Sequence, residues 1–303
     1  MENCKVIKYR WVVMLVLLIV MQPIVFAKDC SSYLENDRIR LPDGSYYVGE
    51  LKDGLFNGNG QLNWSNGKKY VGGFKDGLMH GKGKLIYPNG DIYEGEFKDG
   101  VESGYGKYKF RGGDIYVGNF ENGQINGRGE LKTVNGVKYV GEFKDGYYQG
   151  KGTLKYPNGD VYEGWFVKGR REGKGKLTKP GVGVYIGNFA RGGFSGKGVF
   201  IFEDGSKYEG DFKKGKWNGE GVRTLANGDV YAGHFKNGFY QGYGEYRYKN
   251  GSEYKGMFAH NAFNGEGRFT DGRGKYFLGI WKEGKLIKIT GGNTKEPLIK
   301  PEK

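Results

Sequence analysis

Apolar and polar side chains alternate along most of this chain in short bursts, separated by glycine-rich breaks. In Tyr93-Glu94-Gly95-Glu96-Phe97-Lys98 an extended backbone sends Tyr93, Gly95 and Phe97 to one side and the charged residues to the other. The same spacing puts Gly81, Gly83, Leu85 and Tyr87 on one side of a returning segment. Two kinds of break close these segments. Lys-Asp-Gly stands at 52–54, 75–77, 98–100 and 144–146, and Asn-Gly at 66–67, 89–90, 135–136, 158–159, 227–228 and 250–251. Asn, Asp and Gly tolerate positive φ, so both dipeptides predict tight reversals between strands. The expected element is a β-hairpin, repeated, with no helix.

The repetition has one period. Aromatic starts fall at Tyr47, Tyr70, Tyr93, Tyr116, Tyr139, Tyr162, Tyr185, Tyr208, Tyr231, Tyr254 and Phe277, every 23 residues without insertion. A glycine follows two residues after each start, and Gly-x-Gly recurs in all ten complete units. Aromatic rings laid over glycines of neighbouring strands explain this, because a missing Cβ leaves room for a ring. The motif residues expected to hold the sheet are, for example, Tyr70, Gly72, Phe74, Gly81 and Gly83, then Tyr93, Gly95 and Phe97, and Tyr139, Gly141, Phe143, Gly150 and Gly152. The fold class follows: all-β, an extended, twisted, single-layer antiparallel β-hairpin meander, solenoid-like, of about ten repeats. Residues 28–46 supply an N-terminal half-hairpin cap, since Leu41-Pro42-Asp43-Gly44 keeps the turn phase. The array runs over 47–284, partial after 277, and residues 285–303, with five lysines, form a basic C-terminal tail.

The first 27 residues break the pattern. Lys5, Lys8 and Arg10 precede an apolar run from Trp11 to Met21, and Val25-Phe26-Ala27 suits cleavage after Ala27. This is the layout of a signal peptide, with an uncleaved N-terminal membrane anchor as the alternative. The repeats are therefore expected outside the cytoplasm, periplasmic, extracellular or envelope-associated. Two cysteines, Cys4 and Cys30, allow no internal disulfide framework in the mature chain.

Composition fits repetition rather than an ordinary globular core, with 59 glycines, 24 Tyr, 19 Phe and 5 Trp. The abundance of aromatics argues against disorder. Net charge is +14, and +12 after loss of residues 1–27 with Lys5, Lys8, Arg10 and Glu2. A basic surface draws nucleic acid, anionic lipid or acidic polysaccharide, and the export signal argues against nucleic acid.

The residues from Tyr47 to Phe277 closely resemble the MORN (membrane occupation and recognition nexus) repeat family, whose pattern reads Tyr-x-Gly-x-Phe, two spacers, Gly, three spacers, Gly-x-Gly. The resemblance implies extended β-sheets that scaffold proteins, contact acidic phospholipid or hold peptides along an aromatic groove. Nearly everything after the expected signal is repeat, so no catalytic activity is expected. Leu51 and Trp281 stand in place of Phe, Asn261 replaces a turn glycine, and Lys179-Pro180-Gly181-Val182-Gly183 departs from the usual turn, which predicts either a bend or a longer turn.

Chemistry is sparse. His80, His234 and His260 occupy different phases of the repeat, with no cysteine or carboxylate at metal-ligand spacing, so no metal, cofactor or catalytic residue is assigned. Gly-x-Gly lacks the βαβ setting of a dinucleotide loop and reads as packing. Asn63-Trp64-Ser65 and Asn250-Gly251-Ser252 match glycosylation acceptors. The most variable position lies two before Gly-x-Gly: Phe56, Met79, Glu102, Ile125, Tyr148, Arg171, Phe194, Trp217, Tyr240 and Phe263. Its large side chains either close against a neighbouring unit or form an exposed stripe, and Tyr148, Phe194, Trp217, Tyr240 and Phe263 are the candidate partner-binding residues. As they lie outside the motif, replacing them is expected to leave folding intact. The expected function is a non-catalytic, exported scaffold that binds a protein or peptide, or another copy of itself. Binding to anionic membrane lipid or envelope polysaccharide through the Lys52, Lys75, Lys98 and Lys144 turns is the alternative.

Overall fold

The computed structural model describes residues 34–35 and 38–294. The expected signal segment, its cleavage position after Ala27 and Cys30 lie outside the described residues. Two compact units succeed one another, the first ending at Gly150 and the second beginning at Lys151. Within each unit every strand pairs antiparallel with its sequence neighbour, as the hairpin reading expects.

In the first unit, seven-residue strands such as Lys69–Lys75 alternate with nine-residue strands such as Leu78–Ile86. The excess length is absorbed by a bulge. Gly72 pairs with Gly83 and Phe74 with Met79, so three residues of the return strand stand opposite one. Gly81 sits in this bulge with φ +72 and nothing near the position of a Cβ. It is retained for backbone conformation, not as a ring's floor, which corrects one part of the packing expected for Gly-x-Gly. Gly83 does serve as the floor: a Cβ there would overlap the Tyr70 ring. Gly95 and Gly106 lie in the same way against Tyr93, and Gly141 pairs with Gly129.

Each motif tyrosine is fully buried, and most are edge-packed between two phenylalanines, with Leu51 beside Tyr47 and Trp281 beside Tyr254 as the exceptions. Tyr70 meets Phe74 of its own hairpin at 5.1 Å and Phe97 of the next at 4.9 Å, both near perpendicular. Its hydroxyl donates to the Gly73 carbonyl at 2.9 Å, so the buried phenol is satisfied. Burying such a ring contributes about 2–3 kcal/mol, shared between adjacent hairpins. Nearest-neighbour coupling of this kind is what lets units stack without a central core.

The two turns are built differently. At the tips, Asp53 and Gly54 both take positive φ (53° and 75°) between paired Lys52 and Leu55, a two-residue turn that matches strand twist. At the opposite edge only the glycine of Asn-Gly is left-handed. Gly67 donates to Trp64 O at 3.0 Å while the Asn66 carboxamide accepts from Lys68 N at 3.0 Å. The tight reversal expected at Asn-Gly is present, as a three-residue loop that uses the Asn side chain as a cap.

The second unit keeps the plan and shows how departures are absorbed. Asn261 holds φ +69 in place of glycine, and Trp281 is buried where Phe is usual. At 179–183, Val182 donates to Lys179 O at 3.0 Å, and the positive φ moves to Gly181 (72°). Pro180-Gly181 thereby makes a type II turn where the other units use a type I turn and a bulge. Register is preserved, with Lys179 opposite Gly183, so the turn is neither longer nor a break in pairing. Residues Lys285–Gly292, expected as the start of a tail, instead form a strand paired with Tyr276–Lys282. Before Tyr47, Arg38–Arg40 pairs with the strand Tyr46–Lys52 through a turn at Leu41 to Ser45.

Candidate functional site

The candidate face is the side of each sheet that carries the motif rings. On it, the variable residues lie flat on the motif tyrosines. Tyr148 stacks on Tyr139 at 3.8 Å and 14°, Phe194 on Tyr185 at 3.8 Å, and Trp217 on Tyr208 at 4.6 Å. Tyr240 covers Tyr231 and Phe263 covers Tyr254, each at 3.8 Å. All five are half-buried, whereas Phe56, Met79 and Glu102 of the same column are buried, so the column is closed over the first hairpins and only partly closed at these five. Because each plate packs on a buried ring, its removal is expected to cost packing energy.

A second row was not distinguished by sequence reasoning. Trp64, Tyr87 and Phe110 in the first unit, and Tyr156, Phe202 and Tyr248 in the second, are all half-buried and recur 17 residues after the motif aromatic. Charged side chains are threaded among them. Lys68 Nζ lies over Trp64 at 4.9 Å and Tyr87 at 5.5 Å. Burial lowers the Lys68 pKa, with Glu102 opposing, and burial raises that of Glu102, which accepts from the Tyr87 hydroxyl. Burial pushes the Asp91 carboxyl up, but the Arg111 N–H, Asn89 and Tyr108 outweigh it and leave it below the usual range. In the second unit Asp229 stands in the same relation to Lys249 N and Tyr246.

Arg223 is sandwiched between Phe202 at 4.2 Å and Trp217 at 5.1 Å and donates to Ser206 Oγ at 3.0 Å. Arg171 occupies a plate position without stacking as the aromatics do. Its guanidinium carbon is 5.6 Å from the Tyr162 ring centre, and Nη2 donates to Gly192 O at 2.7 Å. A cavity of about 690 Å³ opens beside it, walled by Tyr156, Leu177, Val182, Phe194 and Phe200 among others. Lys179 and Asp160 close one side as an ion pair at 3.1 Å.

Elsewhere the polar groups are ordinary. Lys52, Lys75, Lys98 and Lys144 are exposed at hairpin tips, each followed by an aspartate that cancels its charge locally. His80 lies 3.8 Å from Asp99, and His234 pairs with Glu220. Asn63 is buried in the strand Leu55–Asn63 and accepts from Gln61, so it is not presented as a glycan acceptor.

The sequence model of the MORN repeat matches ten consecutive segments: 47–69, 70–92, 93–115, 116–138, 139–161, 162–181, 185–207, 208–230, 231–253 and 254–276. No curated protein matches the chain. Among solved structures, similarity is found to the Drosophila melanogaster SAS-4 (dCPAP) TCP domain in complex with a proline-rich motif of Ana2. Identity there is 18%, over 52% of this chain and 85% of that one, with a TM-score of 0.34. The Danio rerio CPAP TCP10 domain with a STIL peptide is 13% identical over 84% and 97% of the two chains, with a TM-score of 0.26. A streptogramin B lyase is 16% identical over 74% and 80%, at 0.17.

Proposed function

The chain belongs to the MORN repeat family, and we propose that it is a non-catalytic, exported scaffold that holds an extended segment of a partner protein along its aromatic face. One observation carries this reading. Two rows of large rings stay half-open on the same face of the sheet while the tyrosines beneath them are completely buried. Folding needs the lower layer, and the upper layer offers rigid apolar surface with interspersed donors and acceptors, as peptide-holding surfaces do.

Selection of displayed peptides on the repeat array tests the reading. Enriched peptides should carry bulky apolar residues and should lose binding after Tyr156→Ala with Tyr248→Ala. If no peptide is enriched and the array instead sediments with phosphatidylserine vesicles in a salt-sensitive way, the reading fails and an anionic surface replaces it. Export is supported by Lys5, Lys8 and Arg10 ahead of the apolar run and by Val25-Phe26-Ala27. N-terminal sequencing should find Lys28 first, whereas a retained Met1 points to the membrane anchor.

A further inference from the structure

The variable column is filled by a flat aromatic plate in most hairpins of the second unit, and at Arg171 it is not. The plates Phe194, Tyr240 and Phe263 sit 3.8 Å above their tyrosines at interplanar angles of 16°, 10° and 16°. The Arg171 guanidinium is 5.6 Å from the Tyr162 ring and is drawn toward Gly192 O. The next position along the face is also unusual: Lys179 stands where Tyr156, Phe202 and Tyr248 stand in other hairpins, and it turns to Asp160. Two aromatic fillings are therefore replaced by cationic side chains at one place, Arg171 lying over Tyr162 and Phe189, and a cavity of about 690 Å³ lies beside them. That volume lies within the range of roughly 300–1,000 Å³ typical of occupied sites.

The surroundings have a sign. The cavity is lined at its tip side by Gly192, Gly193 and Gly215. These glycines belong to hairpin tips that carry Arg191, Lys213, Lys214 and Lys216, all exposed. No acidic residue occurs in 190–194 or 213–217, and Glu172 of the preceding hairpin accepts from the Arg191 N–H at 3.0 Å, leaving the cations in excess. The tips at 52–54, 75–77, 98–100 and 144–146 each balance a lysine with an aspartate instead. An apolar recess with a cationic rim selects its occupant by charge as well as by shape.

We propose that this recess is the anchor site for the partner segment, and that it receives one bulky apolar side chain flanked by acidic residues. The inference rests on the peptide-holding reading above and deepens it. The side chain enters the recess beside Arg171, against Phe194, Phe200 and Leu177. The flanking carboxylates lie toward Arg191, Lys214 and Lys216, where rim charges set the rate of encounter and the direction of the segment. A single filled pocket at the centre of an otherwise shallow contact is the usual source of most binding energy.

Fluorescence anisotropy with the full chain tests this, using fluorescein-labelled Glu-Glu-Trp-Pro-Glu-Glu as the probe. Expected is binding at least about tenfold tighter than for the same peptide with Ala for Trp or with Lys for every Glu. Arg171→Tyr, which supplies the missing plate, should weaken the probe about tenfold or more while the thermal midpoint stays or rises. Val182→Phe should do the same from the opposite wall, and serves if Arg171→Tyr fails to fold. Lys214→Glu with Lys216→Glu should weaken binding several-fold at low salt and less at high salt. Unchanged binding in both cavity-filling variants overturns the anchor site and leaves the broader peptide-holding reading standing. If none of the three peptides binds, both are overturned. Retention on phosphatidylserine vesicles that the cavity-filling variants do not alter also overturns the anchor, since the rim charges then serve a membrane.

Discussion

The hairpins that start at Tyr139 and Tyr162 share the frame residues and differ in what lies on it. Both bury the motif tyrosine, and both pair it at right angles with a phenylalanine at 5.0–5.1 Å, Phe143 in one and Phe166 in the other. In the first, Tyr148 lies flat on Tyr139 and is half-buried. In the second, Arg171 stands there instead, its guanidinium 5.6 Å from the Tyr162 ring and 5.5 Å from Phe189, and a cavity lies beside it. Backbone and lower ring layer thus carry the fold, and the upper layer can vary from ring to cation to empty space without a change of register. The proposed function rests on that upper layer.

The largest effect that sharpens the comparison is on the frame. An ideal Cβ at Gly175 would stand 2.6 Å from the Tyr162 ring, so Gly175→Val should destabilise by about 3 kcal/mol or more in urea unfolding. Gly173 has φ +65 and its nearest neighbour at 3.8 Å, so Gly173→Ala should cost only about 1–2 kcal/mol, from backbone strain alone. Equal losses would break the division between floor and bulge glycines. Next comes the plate: Tyr148→Ala should cost about 2–3 kcal/mol, more than Arg171→Ala, because a stacked ring is lost only in the first.

Much of this frame is legible in the sequence, since Tyr, Gly and Phe at fixed offsets leave one solution in which rings lie on glycines. Other features escape for physical reasons. Asn-Gly is compatible with a two-residue turn and with a capped three-residue loop, and only the pairing of Trp64 with Lys68 decides between them. Pro180-Gly181 looks like an interruption, yet a type II turn moves the positive φ by one residue and keeps the register. The rows containing Tyr148 and Tyr156 both alternate correctly, and alternation alone does not tell which ring lies on the core and which stays open. Arg171 in an apolar column gives a visible anomaly, but the size of the gap beside it depends on Lys179 turning toward Asp160.

A smaller effect concerns alkaline pH. Burial pushes the Tyr162 and Tyr185 phenols up to about 12, above the unfolded value near 10. The folded state thus favours the neutral form, so this stabilisation is complete below about pH 10 and is lost as pH rises through 12. Exposed tyrosines such as Tyr105, Tyr147 and Tyr243 can ionise without unfolding, and circular dichroism followed with pH should show the β signal collapsing together with the remaining rise in phenolate absorbance. Complete phenolate absorbance well before the collapse would contradict burial of the lower layer. Smallest is the tip: Lys214 holds φ +52, and Lys214→Asn should gain about 0.5 kcal/mol because Asn tolerates the left-handed region better. The same change removes a rim cation, so stability and affinity for the acidic probe should move in opposite directions.

The most direct measurement is a photo-crosslink. Glu-Glu-Trp-Pro-Glu-Glu with benzoylphenylalanine in place of its Trp, irradiated with the full chain and mapped by mass spectrometry, should attach to cavity residues such as Leu177, Phe194 and Phe200. Attachment instead to Val71, Tyr105 or Tyr243, all exposed away from the cavity, would contradict the claim that the open ring layer around Arg171 is where this scaffold holds its partner.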